Sequence, residues 1–550
     1  MPDKVLKTIK PRKYQQEIYE NCKDKNCLVV LPTGIGKTLV ALMLSIYTQK
    51  KFPGTKTLFL APTRPLAEQH LAYFKKHLPE LFAELILFTG KIEAEKREEL
   101  WQNSDIIFST PQCIANDLKN GLYDLGEVTL LIEDECHRCL KNYSYTYIAE
   151  KYKKQGKNPQ ILGLTASPGT DRKTIEQIAK NLGIESIEIR TRESEDVKEY
   201  LQELEFEVIK LDFPIELREI TSIIKNLYQK KIEELKNRKL LFEPPTKTNI
   251  LKLQGRIMGS ISSGNKNFNM LMGASACAQA IKLSHLIELL ETQTVYSSIA
   301  YIKSMFEQAN QNKSKAVKNI TKNPEFNQAY VKLSELIAKN IEHPKLNEVK
   351  NIVKNSICEN QKNKTIVFSQ YRDTVIKISK TLNEIPGINA KVFVGQAKGK
   401  GENNPGLTQK EQQEIMDEFR QGKVNVIVAT SIGEEGLDIP EVNSVIFYEP
   451  IPSAIRKIQR AGRTARLMKG KLIILMTKET LDEIFYYASR AKEKRMYSSL
   501  ESIKKDLDSG KSIYEKENQT ELKEFKKEVN NTKKQTEFIE KDKTKQKTLL

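Results

Sequence analysis

Cysteine is scarce: the chain has seven in 550 residues. A sparse, odd set is no disulfide framework and fits a reducing compartment. Cys136 and Cys139 have CxxC spacing, but no second pair stands near them to complete a metal site, so the pair reads as incidental. Long apolar runs are also missing. None reaches the ~18 residues that a spanning helix needs, so no membrane partner is expected. The opening MPDKVLKTIK lacks the apolar stretch of a signal peptide. These absences together point to a soluble, cytoplasmic protein. Negative charge is in deficit, with 71 Asp and Glu against 89 Lys and Arg, a net charge of +18. Such an excess favours a polyanionic partner such as nucleic acid, although lysine is used heavily throughout. Apolar residues make up 39% of the chain, enough for real cores, and the length suits three or four domains.

The stretch from Leu28 to Thr38, LVVLPTGIGKT, organises what is present. Its apolar start reads as a buried strand, and LVALMLSIY after Lys37-Thr38 reads as a helix. Between them Leu31, Pro32, Thr33, Gly34, Ile35 and Gly36 form a loop whose backbone N–H groups would face a phosphate at a positive helix end. Lys37 would reach the β and γ phosphates of ATP, and the Thr38 hydroxyl would ligate Mg²⁺.

Other strands end in polar groups. Upstream, the Gln15 amide suits an adenine edge. TLFLAPT delivers Thr63 and Arg64, LILF is followed by Thr89 and Gly90, and DIIFSTPQ delivers Thr110 and Gln112. Ligands gather at the carboxyl edge of open α/β sheets, and such groups there make phosphate-backbone contacts with nucleic acid. VTLLIEDECH brings up Asp134 to hold Mg²⁺, Glu135 to deprotonate the attacking water, and His137 to couple the site to neighbouring motifs. ILGLTASPG ends in Thr165-Ala166-Ser167, small hydroxyl residues suited to relaying the nucleotide state.

From Glu216 to Lys345 the alternation of strands and helices gives way to long helical patterns with 20 Lys and Arg against 11 Asp and Glu. This reads as a basic helical arm that neutralises duplex phosphates. Met258, Met270, Met272 and Phe268 read as its core. A second alternating series follows, with strands TIVFSQ, AKVFVG, NVIVAT, SVIFYE and KLIILM. Gln370 and Thr430 end two of them. Gly436 in VATSIGEEGLDIP allows close backbone approach, and Asp438 can accept from a ribose hydroxyl. IQRAGRTAR carries Arg460, Arg463 and Arg466 at a spacing of three, on one helical face beside Gln459, which suggests arginine fingers for a phosphate site.

The ordered set TGIGKT, APTRPLAEQ, TPQ, DECH, TAS, FSQYRD, ATSIGEEGLDIP and QRAGRTAR resembles the superfamily 2 helicases. LGLTASPG, FVGQAKGKGENNPGLTQKEQQEIMDEF and FYEPIPSAIRKIQRAGRTAR narrow the resemblance to the helicase part of the archaeal Hef family, relatives of the Fanconi anaemia M-type translocases. The resemblance implies an α/β fold of two RecA-like parallel-sheet domains, at 1–205 and 346–497. It also implies an all-helical, thumb-like insertion at 206–345 between them; the polar composition after Tyr497 reads as a charged tail at 498–550. It implies a 3′-to-5′, ATP- and Mg²⁺-dependent DNA helicase or translocase acting on forked or branched DNA, with Arg463 and Arg466 as the fingers.

Three positions depart from the family pattern: Leu31 at the start of the loop, Cys136 in DECH, and Ala465 in the last motif. The Hef nuclease run ERKxxxD and the tandem helix-hairpin-helix module are not found, so fork cleavage is not expected, and a separate nuclease would be a partner. A sliding clamp is a second candidate, since Gln519 to Phe525 loosely resembles a clamp peptide; it lacks the second aromatic, so the stretch reads rather as polar tail. Two other readings stay open: a duplex-RNA-stimulated ATPase of the same superfamily, and an ATP-switched scaffold that binds junctions and recruits a nuclease.

Overall fold

The computed structural model describes residues 5–6, 9–200, 204–264, 267–395, 406–430, 442–451 and 470–511. The chain divides into two compact units. One takes residues up to 31, 36–191 and the chain from 493 on; the other takes 32–35 and 192–492. Among the described residues no helix is long and apolar enough to cross a membrane.

The first unit holds a seven-stranded sheet: β1 (Cys27–Val30), β2 (Lys56–Leu60), β3 (Leu85–Phe88), β4 (Ile106–Ser109), β5 (Val128–Asp134), β6 (Ile161–Thr165) and β7 (Ser186–Ile189), in the order β3-β4-β2-β5-β6-β1-β7. Every pairing is parallel. The five inner strands are buried at every position, whereas edge strands β3 and β7 are only partly buried. Helices cover both faces of such a sheet, which is why its inner strands are continuous apolar runs. All the strands point one way, so their carboxyl ends share one edge. The unit also takes the last half of the helix Leu481–Asp508. Met496, Leu500 and Ile503 are fully buried there. Arg172 donates to Ser502 Oγ at 2.6 Å and Asp506 Oδ2 at 2.7 Å. The tail expected from 498 thus begins inside a docked helix.

The second unit holds a parallel six-stranded sheet: β8 (Leu204–Leu211), β9 (Thr365–Phe368), β10 (Ala390–Phe393), β11 (Val426–Ala429), β12 (Ser444–Phe447) and β13 (Gly470–Thr477), in the order β10-β11-β9-β12-β13-β8. Five of these fall where the sequence places strands. The sixth, β8, pairs with β13 from Leu204–Gly470 to Leu211–Thr477. The boundary drawn after 205 therefore falls within a strand of the second sheet.

Between β8 and β9 stand the helices Ile215–Asn237, Lys247–Ser262, Phe268–Thr292, Val295–Asn310, Lys315–Thr321 and Pro324–Ala338, then Pro344–Glu359 beside the sheet. The bundle has two cores. The root core joins Leu217, Ile224, Leu286, Leu290, Ile302, Phe326 and others. The outer core is smaller and joins Ile232, Leu235, Ile250, Leu253, Ile257 and Cys277. Met270 packs against that outer core and Met272 is half-buried. Met258 and Phe268, expected as core, are instead 50% and 75% exposed; the outer core is too small to cover every apolar side chain around it.

Buried polar contacts fix the bundle to its sheet. Lys345 Nζ donates to Thr292 O at 2.6 Å and pairs with Asp482 Oδ2 at 2.7 Å. Gln293 Oε1 accepts from Ser369 Oγ and Thr374 Oγ1. Tyr371 OH donates to Glu288 at 2.7 Å.

Candidate nucleotide-binding site

The loop after β1 has the backbone of a phosphate cradle. Gly34 and Gly36 have φ of +88° and +86°, a region costly for any residue with a Cβ. A Cβ on Gly36 would also lie 2.2 Å from Gln15 Nε2. The helix Lys37–Lys51 starts directly behind this turn. Leu31, where the strict phosphate-loop pattern has glycine, is fully buried, and its N–H donates to Thr165 O at 3.0 Å. It therefore extends β1 and leaves the turn to the two glycines. Pro32 and Ile35 are buried, while Thr33 Oγ1 is buried without a hydrogen-bond partner.

Gln15 is buried, and its amide joins its own helix start to the loop: Oε1 accepts from Arg12 N at 2.9 Å, and Nε2 donates to Gly36 O at 3.4 Å. The Lys37 ammonium is buried with no hydrogen-bond partner; the Glu135 carboxylate lies 3.8 Å away. Glu135 follows β5 in the left-handed region, at φ +52°. A non-glycine residue held there stores strain of a kind that clusters at functional sites. Burial pushes its carboxyl up, but the Lys37 ammonium and His137 outweigh burial and hold it down at about 2.

Asp134, the last residue of β5, contacts His70 Nε2 through Oδ2 at 2.9 Å, and His70 Nδ1 lies 3.4 Å from Thr38 Oγ1. Tyr145 OH donates to Asp134 O at 2.6 Å. A chain of contacts leaves the site on the other side. Glu135 Oε2 lies 3.2 Å from His137 Nδ1, which lies 3.2 Å from Thr165 Oγ1. That oxygen accepts from Ser167 N at 3.1 Å, and Ser167 Oγ donates to Met496 Sδ at 2.9 Å. His137, Thr165 and Ser167 therefore lie on one run of contacts from Glu135 to Met496.

The strand order sorts the first unit's candidates along one edge. Thr63 and Arg64 follow β2, Thr89 and Gly90 follow β3, and Thr110 and Gln112 follow β4, on the β3-β4-β2 side; the phosphate loop and acidic pair stand on the β5-β6-β1 side. Thr63 Oγ1 is buried without a hydrogen-bond partner, Arg64 pairs with Glu68 at 2.7 Å, and Gln112 Nε2 donates to Tyr143 OH at 3.4 Å. In the second unit Gln370 follows β9, exposed, with its N–H bonded to Glu449; Thr430 follows β11, buried, with its N–H donating to Phe393 O at 3.1 Å. Gly436, Asp438, Gln459, Arg463 and Arg466 lie outside the described residues.

Sequence reasoning missed His70 and Tyr145. A signal for His70 existed: Ala67, His70 and Phe74 share the buried face of the helix that begins at the end of β2, and a histidine on such a face needs partners.

An empty-handed buried ammonium suits a phosphate, and the Thr38 hydroxyl and Asp134 carboxylate are hard oxygen donors that suit Mg²⁺. Among the described residues no group of three or more His, Cys, Asp or Glu could hold a metal ion by itself. The phosphate loop, the acidic strand end and the parallel sheet define a P-loop NTPase.

Residues 8–170 match the family described as Type III restriction enzyme, res subunit; 216–341 match a putative ATP-dependent RNA helicase helical bundle, and 344–468 a helicase conserved C-terminal domain. The Hef helicase domain of Pyrococcus furiosus, a solved structure, is 42% identical with a TM-score of 0.68, over 88% of this chain and all of that one. The chain belongs to the superfamily 2 helicases, in the branch of the Hef and Fanconi anaemia M-type proteins. Among curated relatives, a putative ATP-dependent RNA helicase of Methanocaldococcus jannaschii is 38% identical over 90% of this chain. The ATP-dependent DNA helicase mph1 of Neurospora crassa is 32% identical over 86%, and the mouse Fanconi anemia group M protein homolog 30% over 89%. The chain spans 61%, 41% and 26% of the lengths of these three.

Proposed function

We propose that the chain is an ATP-dependent DNA helicase or translocase that moves 3′ to 5′ and remodels forked or branched DNA in replication-fork repair and recombination. The observation that carries the ATPase part is the Lys37 ammonium, buried with no hydrogen-bond partner 3.8 Å from Glu135. Backbone N–H groups of the Gly34–Gly36 turn and the start of the helix at Lys37 would cradle the phosphates. Thr38 and Asp134 would hold Mg²⁺, which when bound neutralises charge on the β and γ phosphates. As Lys37 turns to those phosphates, Glu135 loses its main counter-charge and becomes a better base. It takes a proton from water as the water oxygen bonds to the γ-phosphorus and the bond to the β-phosphate oxygen breaks, leaving ADP and phosphate. Gln15 would read adenine. Arg463 and Arg466, with Gln459 nearby, would be the fingers that the resemblance implies; Gly436 would allow close backbone approach and Asp438 would accept from a ribose hydroxyl.

The name of the mph1 relative, an ATP-dependent DNA helicase, supports DNA as the substrate. Thr63, Arg64, Thr89, Gly90, Thr110, Gln112, Gln370 and Thr430 would track one strand by its phosphates, and the basic bundle would grip duplex. A second reading, a duplex-RNA-stimulated ATPase, draws on the M. jannaschii relative and the helical-bundle family, both named for RNA helicases. Steady-state ATPase of wild type and Lys37→Ala with forked DNA, linear duplex DNA, duplex RNA or none separates them. Stimulation chiefly by forks, absent from the variant, is expected. Stimulation chiefly by duplex RNA moves the chain to the second reading. A fork-remodelling activity that survives in Glu135→Gln overturns the motor altogether and leaves the junction-binding scaffold.

A further inference from the structure

We propose that His70 is a positioning residue that holds Thr38 and Asp134 in register as cation ligands; this rests on the reading of the site as a Mg²⁺-dependent ATPase. Those two residues come from different parts of the sheet, Thr38 from the helix behind β1 and Asp134 from the end of β5. His70 stands between them on a third element, the helix Arg64–His77. Its ring is 7% exposed and lies against Phe59, with ring centroids 4.4 Å apart and planes at 34°. The imidazole therefore cannot swing freely.

The chemistry of its partners orients the ring. A carboxylate only accepts, so the contact between Nε2 and Asp134 Oδ2 at 2.9 Å requires the proton on Nε2. In the neutral ring Nδ1 then offers a lone pair to the Thr38 hydroxyl, 3.4 Å away. A hydroxyl that donates its proton to Nδ1 turns its own lone pairs elsewhere, where a cation can use them. One rigid ring thus sets one oxygen on each prospective ligand.

The test measures two affinities for wild type, His70→Phe, His70→Gln and His70→Asn: Mn²⁺ binding by electron paramagnetic resonance in the presence of ADP, and ADP binding in chelator without metal. Phenylalanine keeps the contact with Phe59 and removes both nitrogens. Glutamine can place an amide where Nε2 lies, and asparagine only where Nδ1 lies. Partners behind metal ligands set affinity by roughly 10–100-fold, so His70→Phe is expected to weaken Mn²⁺ binding about tenfold or more while metal-free ADP binding is kept. Glutamine is expected to recover most of that loss and asparagine little of it. Wild-type Mn²⁺ affinity in His70→Phe overturns the proposal, as does an equal loss of metal-free ADP binding. Should His70→Phe fail to fold by circular dichroism, equal Mn²⁺ affinity in the glutamine and asparagine variants overturns it. A wild type that binds neither ADP nor Mn²⁺ refutes the ATPase reading, and the role of His70 falls with it.

Discussion

Two buried lysines sit beside two buried carboxylates, one pair in each unit, and they are built differently. In the second unit Lys345 and Asp482 are completely buried and 2.7 Å apart. Lys345 also donates to Thr292 O and lies 5.0 Å from the centre of the Tyr448 ring, and Asp482 accepts from Thr477 N at 3.0 Å. In the first unit Lys37 stands 3.8 Å from Glu135 and hydrogen-bonds nothing. Burying a charge is costly unless it is paired and hydrogen-bonded. The first arrangement meets that cost for the ammonium within the fold, while Asp482 Oδ1 stays buried without a hydrogen-bond partner. The second leaves it unmet, as a site does when its ligand supplies the missing partner. The degree to which the ammonium is satisfied, more than burial or charge, separates the structural pair from the one we propose to be functional.

The comparison breaks most visibly at Lys345. Removing one partner of a buried pair leaves an uncompensated charge, worth about 3–5 kcal/mol, so Lys345→Ala is expected to lose that much stability in urea unfolding. Lys345→Met with Asp482→Asn should lose clearly less, because neither charge remains. At Lys37 the expectation is weaker for stability and stronger for function: Lys37→Ala loses clearly less stability than Lys345→Ala, because the unmet cost of its ammonium is removed with it, and it loses ATP hydrolysis. Glu135→Gln behaves likewise, with kcat down by roughly 10²–10⁴, the usual worth of a general base. A Lys37→Ala variant destabilised as strongly as Lys345→Ala would erase the distinction.

Glu133 is a third case, a buried carboxyl with no cation paired to it. It is fully buried on β5, and neither oxygen has a hydrogen-bond partner. Burial pushes its carboxyl up to about 8, against smaller downward pulls from Cys139 and Lys153. The folded chain therefore holds this proton while the unfolded chain releases it near the ordinary value of 4.5. The contribution to stability is fully present below the unfolded value and is lost as pH rises through about 8, at up to about 1.4 kcal/mol per pH unit. Glu133→Gln cannot ionise, so its melting temperature should fall less than that of wild type between pH 5 and 8. Parallel curves for the two proteins would mean that the carboxyl is paired after all.

What could be read from the sequence follows the range of the interactions. The strand, loop and helix around Lys37 are contiguous, and so is the acidic end of β5; both are legible from local pattern. The five strands of the second series are legible for the same reason. His70 is not, because its meaning depends on Thr38 and Asp134, 32 and 64 residues away. β8 escaped because its only described strand partner, β13, begins at Gly470 and nothing local links the two. Met258 and Phe268 carry the right periodicity for a core, but periodicity does not say how many apolar faces a small core can cover. The end of the helix at Asp508 looked like tail because its sequence is polar; the buried Met496, Leu500 and Ile503 bind it to the first unit, with polar contacts from Ser502 and Asp506 to Arg172 and from Lys504 to Glu188.

The smallest expected effect belongs to a pair whose geometry is nearly that of Lys345 and Asp482. Lys230 Nζ lies 2.8 and 2.9 Å from the two oxygens of Glu325, with side chains 58% and 43% exposed. Here water solvates both charges whether or not they meet, and holding two long side chains together costs entropy. Pairs of this kind contribute about 0–1 kcal/mol, less as salt rises. Lys230→Ala should therefore shift the unfolding midpoint by no more than about 0.5 kcal/mol, with no response to added salt beyond that of wild type. A loss approaching that of Lys345→Ala would mean that proximity of charge alone fixes the value of a pair. The contrast between Lys37 and Lys345 would then need another explanation than the presence or absence of hydrogen-bond partners.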